Sequence, residues 1–369
     1  MKKLLLLLLA CAAFIAVVLN ARYGEGEPYR DVSTPPAAHE SALEMVLQYP
    51  EPIGGLAVTR QERLFFTVHP ESRPSGNKLL EWIDGAAEPY PSGSAQPELF
   101  DTVLGLTIDR QNRLWSLDHG NHGFGTPRLL AFDLETDSVV VDVSLAADVA
   151  PKGSLLMDLT VSADGRYVVI ADASIWRKDA ALIVYDVEAQ TQRRVLSSHP
   201  SVSAQHYVIR APSRTMSFFG GILSLKAGVS GIALDATNDW LYYAATNHDG
   251  LFRVPFATLL DTSLPPRQAA NAIERYSDKP LSDGVTADPQ GRLYVTNVEH
   301  GGIMWIDAER ELKTLVSSPN LRWPDALAIG PEGWLYVTDS AIPDLVLRAT
   351  EHIAREGPYA VYRIQPGGQ

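Results

Sequence analysis

The sequence predicts an all-β fold, a six-bladed β-propeller with four-stranded blades, and three observations carry that expectation. One hairpin signature recurs six times between residues 55 and 339. Further strand-like segments follow each hairpin. The last copy stops after its third strand, while an unassigned strand-like segment stands near the N-terminus. Self-similarity at such a period marks a repeat architecture and takes precedence over other readings.

The hairpins read GLAVTRQERLFFTVH (55–69), GLTIDRQNRLWSLDH (105–119), DLTVSADGRYVVIAD (158–172), GIALDATNDWLYYAAT (231–246), GVTADPQGRLYVTN (284–297) and ALAIGPEGWLYVTD (326–339). Each has a first residue, small in all but the third, then an apolar anchor, a polar turn and an aromatic-rich second strand. Asp, Asn, Gly and Pro in the turns supply the conformations that tight hairpins need. The anchors Leu56, Leu106, Leu159, Ile232, Val285 and Leu327 are 50, 53, 73, 53 and 42 residues apart.

Third strands recur as KLLEWID (78–84), RLLAFDL (128–134), ALIVYDV (181–187), GLFRVPF (250–256), GIMWIDA (302–308) and YAVYRIQ (359–365). Fourth strands follow as SVVVDVS (138–144), TQRRVLS (191–197), NAIERYS (271–277) and ELKTLVS (311–317). The N-terminal ALEMVLQ (42–48) is the candidate fourth strand of the last blade. Closing the ring this way removes an exposed sheet edge. Most spacings exceed the ~40–45 residues of tryptophan–aspartate propeller repeats, and that class's signature is absent. A split into two domains fails because the repeats run from residue 42 to 365 without a linker. The long third interval holds an insertion over roughly 198–228, which reads as a loop covering one face of the propeller.

Residues 1–21 form an export segment. Lys2 and Lys3 precede an unbroken apolar run from Leu4 to Leu19. That is the pattern of a signal sequence, slightly short of a full transmembrane span. An uncleaved anchor ranks ahead of cleavage near Ala21, and lipidation at Cys11 ranks third. Residues 22–41, rich in Gly and Pro, read as a tether, and 42–369 as one propeller. Cys11 is the single cysteine, so the folded part has no disulfide and no thiol chemistry. The expected location is exported: periplasmic or secreted, with retention at the membrane through the N-terminal segment alone.

The chain carries 31 Lys and Arg against 44 Asp and Glu, a formal charge of −13. That balance speaks against a nucleic-acid partner, which needs clustered basic residues. No G-x-S-x-G, H-E-x-x-H or P-loop is present, so serine-hydrolase, zincin and nucleotide chemistry have no support. A small-molecule ligand and a monomeric state are expected.

LIVYDV (182–187), SGIALDATNDWLYYAA (230–245) with LFRVPFATLLD (251–261), and RWPDALAI (322–329) with LYVTDS (335–340) resemble the major royal jelly protein/yellow family over about residues 43–365. The chain is most similar to its bacterial, dopachrome-tautomerase-related members, and more distantly to gluconolactonase/regucalcin propellers. The resemblance implies a secreted six-bladed propeller. It leaves function open between ligand binding, dopachrome-type tautomerisation and calcium-dependent lactone hydrolysis, because fold does not fix function.

Candidate site residues follow from their position in the repeat. Asp158, Asp283 and Asp325 stand where first strands approach the channel axis. Carboxylates gathered there repel unless a counter-charge intervenes. Asp283 and Asp325 are therefore the candidate ligands of a calcium ion, the candidate cofactor, with Asp158 beside them. The resemblance implies an Asn and an Asp at the columns of Ser230 and Asp283; Ser230 departs from it. The alternative is that these acids cap backbone N–H groups. His69, His119, His122, His248 and His300 all follow second strands and belong on one face. His300 with Glu299 is the first choice for general acid–base work. Trp176 and Trp323, with Arg322 adjacent, are the candidate wall for a flat, cationic ligand. Aromatics inside the second and third strands read as packing between blades.

Overall fold

The structure is a computed structural model that describes residues 2–24 and 26–367. Six four-stranded antiparallel sheets follow one another as blades of a six-bladed propeller. Their innermost strands are Ile53–Val58, Val103–Ile108, Leu156–Val161, Val229–Leu234, Val285–Ala287 and Pro324–Ile329. The last blade is completed by Glu44–Tyr49, which pairs antiparallel with Tyr359–Ile364. The fourth strand of the first blade, Ala86–Pro89, has a sequence with little strand character; its pairing to Leu79–Ile83 imposes the conformation.

The small residue of each repeat has a packing cause. Inner strands of neighbouring blades converge around the axis. A Cβ at Gly55 would lie 1.9 Å from the Leu104 carbonyl oxygen, and one at Gly284 would lie 2.1 Å from that of Asp325. Any side chain there would force the blades apart. Second-strand threonines tie this contact: Thr67 Oγ1 donates to the Leu104 carbonyl at 3.0 Å, and Thr338 Oγ1 to that of Gly54 at 2.9 Å. The polar turns are equally determined. Asp109 accepts the N–H groups of Gln111 and Arg113, and Asp288 those of Gln290 and Arg292. Apolar residues of adjacent blades interlock between the sheets, as Trp115, Leu159 and Ile183 do.

Helix Lys2–Tyr23 has no buried residue and is long and apolar enough to cross a membrane. Residues 26–41, expected as a tether, lie against the propeller. Glu27–Pro28 pairs parallel with Tyr207–Val208, and Ala37 and Ala38 donate to the carbonyls of Thr314 and Leu315 on the outer edge of blade five. Outer strands leave their edges free to pair, which gives this Pro-rich segment a binding surface.

Candidate functional site

Inner strands start, and second strands end, at the same end of the channel. The loops joining second to third strands therefore surround one mouth. The 198–228 insertion folds over it with two short hairpin strands, Ser217–Phe218 and Leu223–Ser224. Beneath lies a cavity of about 230 Å³. Its wall is apolar: Leu155, Ile175, Trp176, Phe218, Phe219 and Leu225. Its polar lining comprises His69, Glu71, His119 and His122, together with Ser224, Thr246 and Asp283.

The three histidines and Glu71 form a network. His122 Nε2 is 2.9 Å from Glu71 Oε1. His69 Nδ1 accepts the Glu71 N–H, and His119 Nδ1 accepts the His122 N–H. The His119 and His122 rings are 5.1 Å apart. Burial pushes His69 down to about 4 and His119 down to about 3, so both are neutral at physiological pH. Burial would raise Glu71, but the hydrogen bond from His122 and the neighbouring imidazoles outweigh it and bring the carboxyl to about 2. The cavity thus presents the Glu71 carboxyl, hydrogen-bonded to His122, beside His69 and His119, which burial keeps neutral.

Asp283 and Trp323 line the base of the cavity, and Asp283 is shared with the narrower channel below. Asp158 and Asp325 line that channel. Burial pushes all three acids upward, Asp158 to about 7, and the mutual repulsion of carboxylates adds to this in Asp158 and Asp325. Asp325 Oδ2 lies 3.6 Å from His69 Nε2 and has no hydrogen-bond partner.

The donor set does not suit calcium, which takes 6–8 oxygens. Asp283 Oδ2 already accepts the Trp323 indole N–H, and Asp158 Oδ1 accepts the Leu159 N–H. Gly54 and Leu104 supply no side-chain oxygen in the same column. Among the described residues no group of three His, Cys, Asp or Glu is arranged to hold a metal ion. The upward shifts of Asp158 and Asp325 record the same crowding of carboxylates that suggested a cation from the sequence.

The other expected residues are placed as follows. Trp323 is 1% exposed and packs into the core, whereas Trp176 is 44% exposed at the cavity rim. Arg322 does not join the wall. Its Nε is 2.6 Å from Asp339 Oδ2, and its guanidinium lies over the Tyr359 ring. His300 and Glu299 lie outside the cavity. His300 Nε2 is 3.5 Å from Asp31, and Glu299 Oε1 accepts the Arg210 N–H at 2.7 Å, fixing the insertion to blade five. His248 turns to Asp249 and accepts the Gly250 N–H. Of five histidines expected on one face, the structure gathers three. Glu71 was not foreseen. Its only signal is its position two residues after His69, and only the fold brings it to His122.

Fold and site together define a six-bladed propeller with a covered pocket at its channel mouth. The family model for major royal jelly proteins matches residues 102–354, and the chain belongs to that family. Major royal jelly protein 3 of Apis mellifera is 27% identical over 244 residues, 61% of this chain and 42% of that protein. Major royal jelly protein 1 of Apis mellifera is 29% identical over 188 residues, 45% of this chain and 40% of that protein. The chain thus spans less than half the length of these relatives. Among solved structures, a gluconolactonase from Xanthomonas campestris superposes with a TM-score of 0.56 at 14% identity, covering 93% of this chain and 98% of that one. Regucalcin from Agrobacterium tumefaciens, a calcium-binding protein, gives 0.52 at 14% identity, covering 87% and 93%. At such identities the likeness concerns the fold alone.

Proposed function

We propose that this protein binds a small ring-bearing amine in the cavity over the channel mouth. The observation that carries this reading is the pairing of an aromatic and aliphatic wall with one carboxylate, Glu71, held by His122 beside His69 and His119. The ring would lie against Trp176 and Phe218, where a cation and an aromatic face attract. The amine would meet the Glu71 carboxylate, while His69 and His119, whose Nδ1 atoms already accept backbone N–H groups, would offer Nε2–H donors to a hydroxyl on the ring. Lys2 and Lys3 before the apolar helix favour export of the propeller with the helix retained as an anchor.

A second reading, metal-assisted lactone hydrolysis, draws on the propeller neighbours and on the partnerless Asp325 Oδ2. It requires a cation that the present donors do not suit. One experiment separates the two: titration with dopamine, followed by tryptophan fluorescence, alongside a turnover assay on an aromatic lactone with and without calcium. Saturable dopamine binding without lactone turnover is the expected result. Calcium-dependent lactone hydrolysis with no amine binding would replace the first reading by the second.

A further inference from the structure

The cavity mouth is surrounded by apolar side chains that the fold leaves in water. Phe124 is 63% exposed, Trp176 44%, Phe219 66% and Leu347 61%. They come from four separate loops, in blades two, three and six and in the insertion. Trp176, Phe219 and Leu347 line the cavity, and Phe124 follows its wall residue His122 by two positions. Phe219 and Leu347 have φ of 52° and 57°. A bulky side chain rarely adopts that left-handed region, so local backbone strain accompanies the outward display of both.

The apolar N-terminal helix joins the propeller at this same rim. Tyr23, its last residue, lines the cavity. The Tyr23 hydroxyl donates to the Trp176 carbonyl at 2.7 Å, and Arg22 Nη2 donates to that of Arg177 at 2.8 Å. At ~1.5 Å per residue the apolar run Leu4–Leu19 of this helix spans most of the ~30 Å hydrocarbon layer of a bilayer, with Lys2 and Lys3 before it. Where that helix leaves the bilayer, the rim must lie beside the headgroups.

Basic residues stand among the apolar tips. Arg73 Nη2 reaches the Arg348 carbonyl, next to Leu347, and Arg214 Nη2 reaches that of Val346 and lies over the Phe218 ring. Arg22 and Arg177 flank Trp176, Arg177 also pairing with Asp179. Arginines thus stand on this apolar-tipped face of a chain of formal charge −13, alongside the acids Glu71 and Asp179. Aromatic tips with flanking arginines are the composition of a membrane interface, and basic side chains there attract anionic lipids.

We propose that the cavity-mouth face rests on an anionic bilayer surface, with Phe124, Trp176, Phe219 and Leu347 dipping into the interface and the exposed Arg22 and Arg73 meeting lipid phosphates. Membrane contact was expected through the N-terminal segment alone; the exposed apolar tips with Arg22 and Arg73 point to a second contact. The proposal rests on the helix being retained, which the intact mass of protein from the membrane fraction reports separately.

The test uses the full chain with Cys11→Ser, reconstituted into vesicles of phosphatidylcholine and phosphatidylglycerol. Nitroxide labels are placed at Phe219→Cys, Leu347→Cys and, as a control, Gln290→Cys. Gln290 is an exposed hairpin-turn residue at the opposite end of the channel. The rim labels should be accessible to oxygen and shielded from a water-soluble nickel relaxant, and the control label the reverse. Their shielding should weaken in pure phosphatidylcholine; equal shielding in both lipids would overturn the role of the arginines. Rim labels as open to nickel as the control would overturn the proposal. So would spin–spin broadening between chains, which would make a second copy the occupant of this face.

Discussion

The indole Nε1–H of Trp323 donates to Oδ2 of Asp283 at 2.9 Å, joining the start of the sixth blade to that of the fifth at the channel mouth. Both residues are buried, at 1% and 8% exposure. The bond gives Asp283 a structural partner where the sequence suggested a metal ligand. Trp323→Phe keeps most of the packing and removes the donor. The expected cost is about 1–3 kcal/mol, the penalty of a buried acceptor left unmatched. Denaturant melts measure it, and wild-type stability in that variant would mean the bond is not structural.

The ring is closed by Glu44–Tyr49, in which Leu47 is 3% exposed and Met45 is 55% exposed. Leu47→Ala should cost about 2–4 kcal/mol of global stability. Met45→Ala should fall within about 0.5 kcal/mol of wild type. A Leu47→Ala variant that melts with wild type would separate this strand from the cooperative unit.

The channel acids give stability a pH dependence with a definite sign. Burial first, then repulsion by Asp283, raises Asp158 to about 7, above the ~3.9 of an unfolded aspartate. Between those values the unfolded chain loses its proton before the folded one does. The contribution of Asp158 to stability is therefore fully present below pH ~4 and declines as pH rises to about 7. Asp158 is partly exposed to the channel, which moderates the size of the effect. Asp158→Asn should raise the melting temperature by about 1–3 °C at pH 7.5 relative to wild type and leave it little changed at pH 4. The opposite ordering would mean that the carboxylate is ionised and held by a counter-charge.

Calcium tests the same acids independently. A cation that binds only the folded state raises its melting temperature. Millimolar calcium should leave wild type unmoved, because Asp283 Oδ2 and Asp158 Oδ1 already accept hydrogen bonds and Gly54 and Leu104 add no side-chain oxygen to the column. A rise abolished by Asp283→Asn would restore the metal site.

Much of the fold was legible because each blade repeats the same local code: Asp-centred turns such as Asp109 and Asp288, glycines where inner strands meet, and alternating apolar strands. Ala86–Pro89 escaped notice because pairing alone makes it a strand. The site was less legible. The repeat positions bring Asp283, Trp323, His69, His119 and His122 to the cavity lining. It could not tell that Arg322 would turn to Asp339, or that His300 would turn to Asp31, because those choices depend on contacts remote in sequence. Nor could spacing bring Glu71 to His122, since the two loops belong to different blades.

Binding at the cavity is tested most directly by calorimetric titration of dopamine into wild type, Trp176→Ala and Glu71→Gln. One molecule should bind per chain. Trp176→Ala should weaken binding by about 1–2 kcal/mol, the size of a cation–π contact with its packing. Glu71→Gln should weaken it by about 1.5–3 kcal/mol, the size of a charge-assisted hydrogen bond. Absence of saturable binding to wild type, or affinities equal across all three proteins, would contradict the assignment of this cavity as the ligand site.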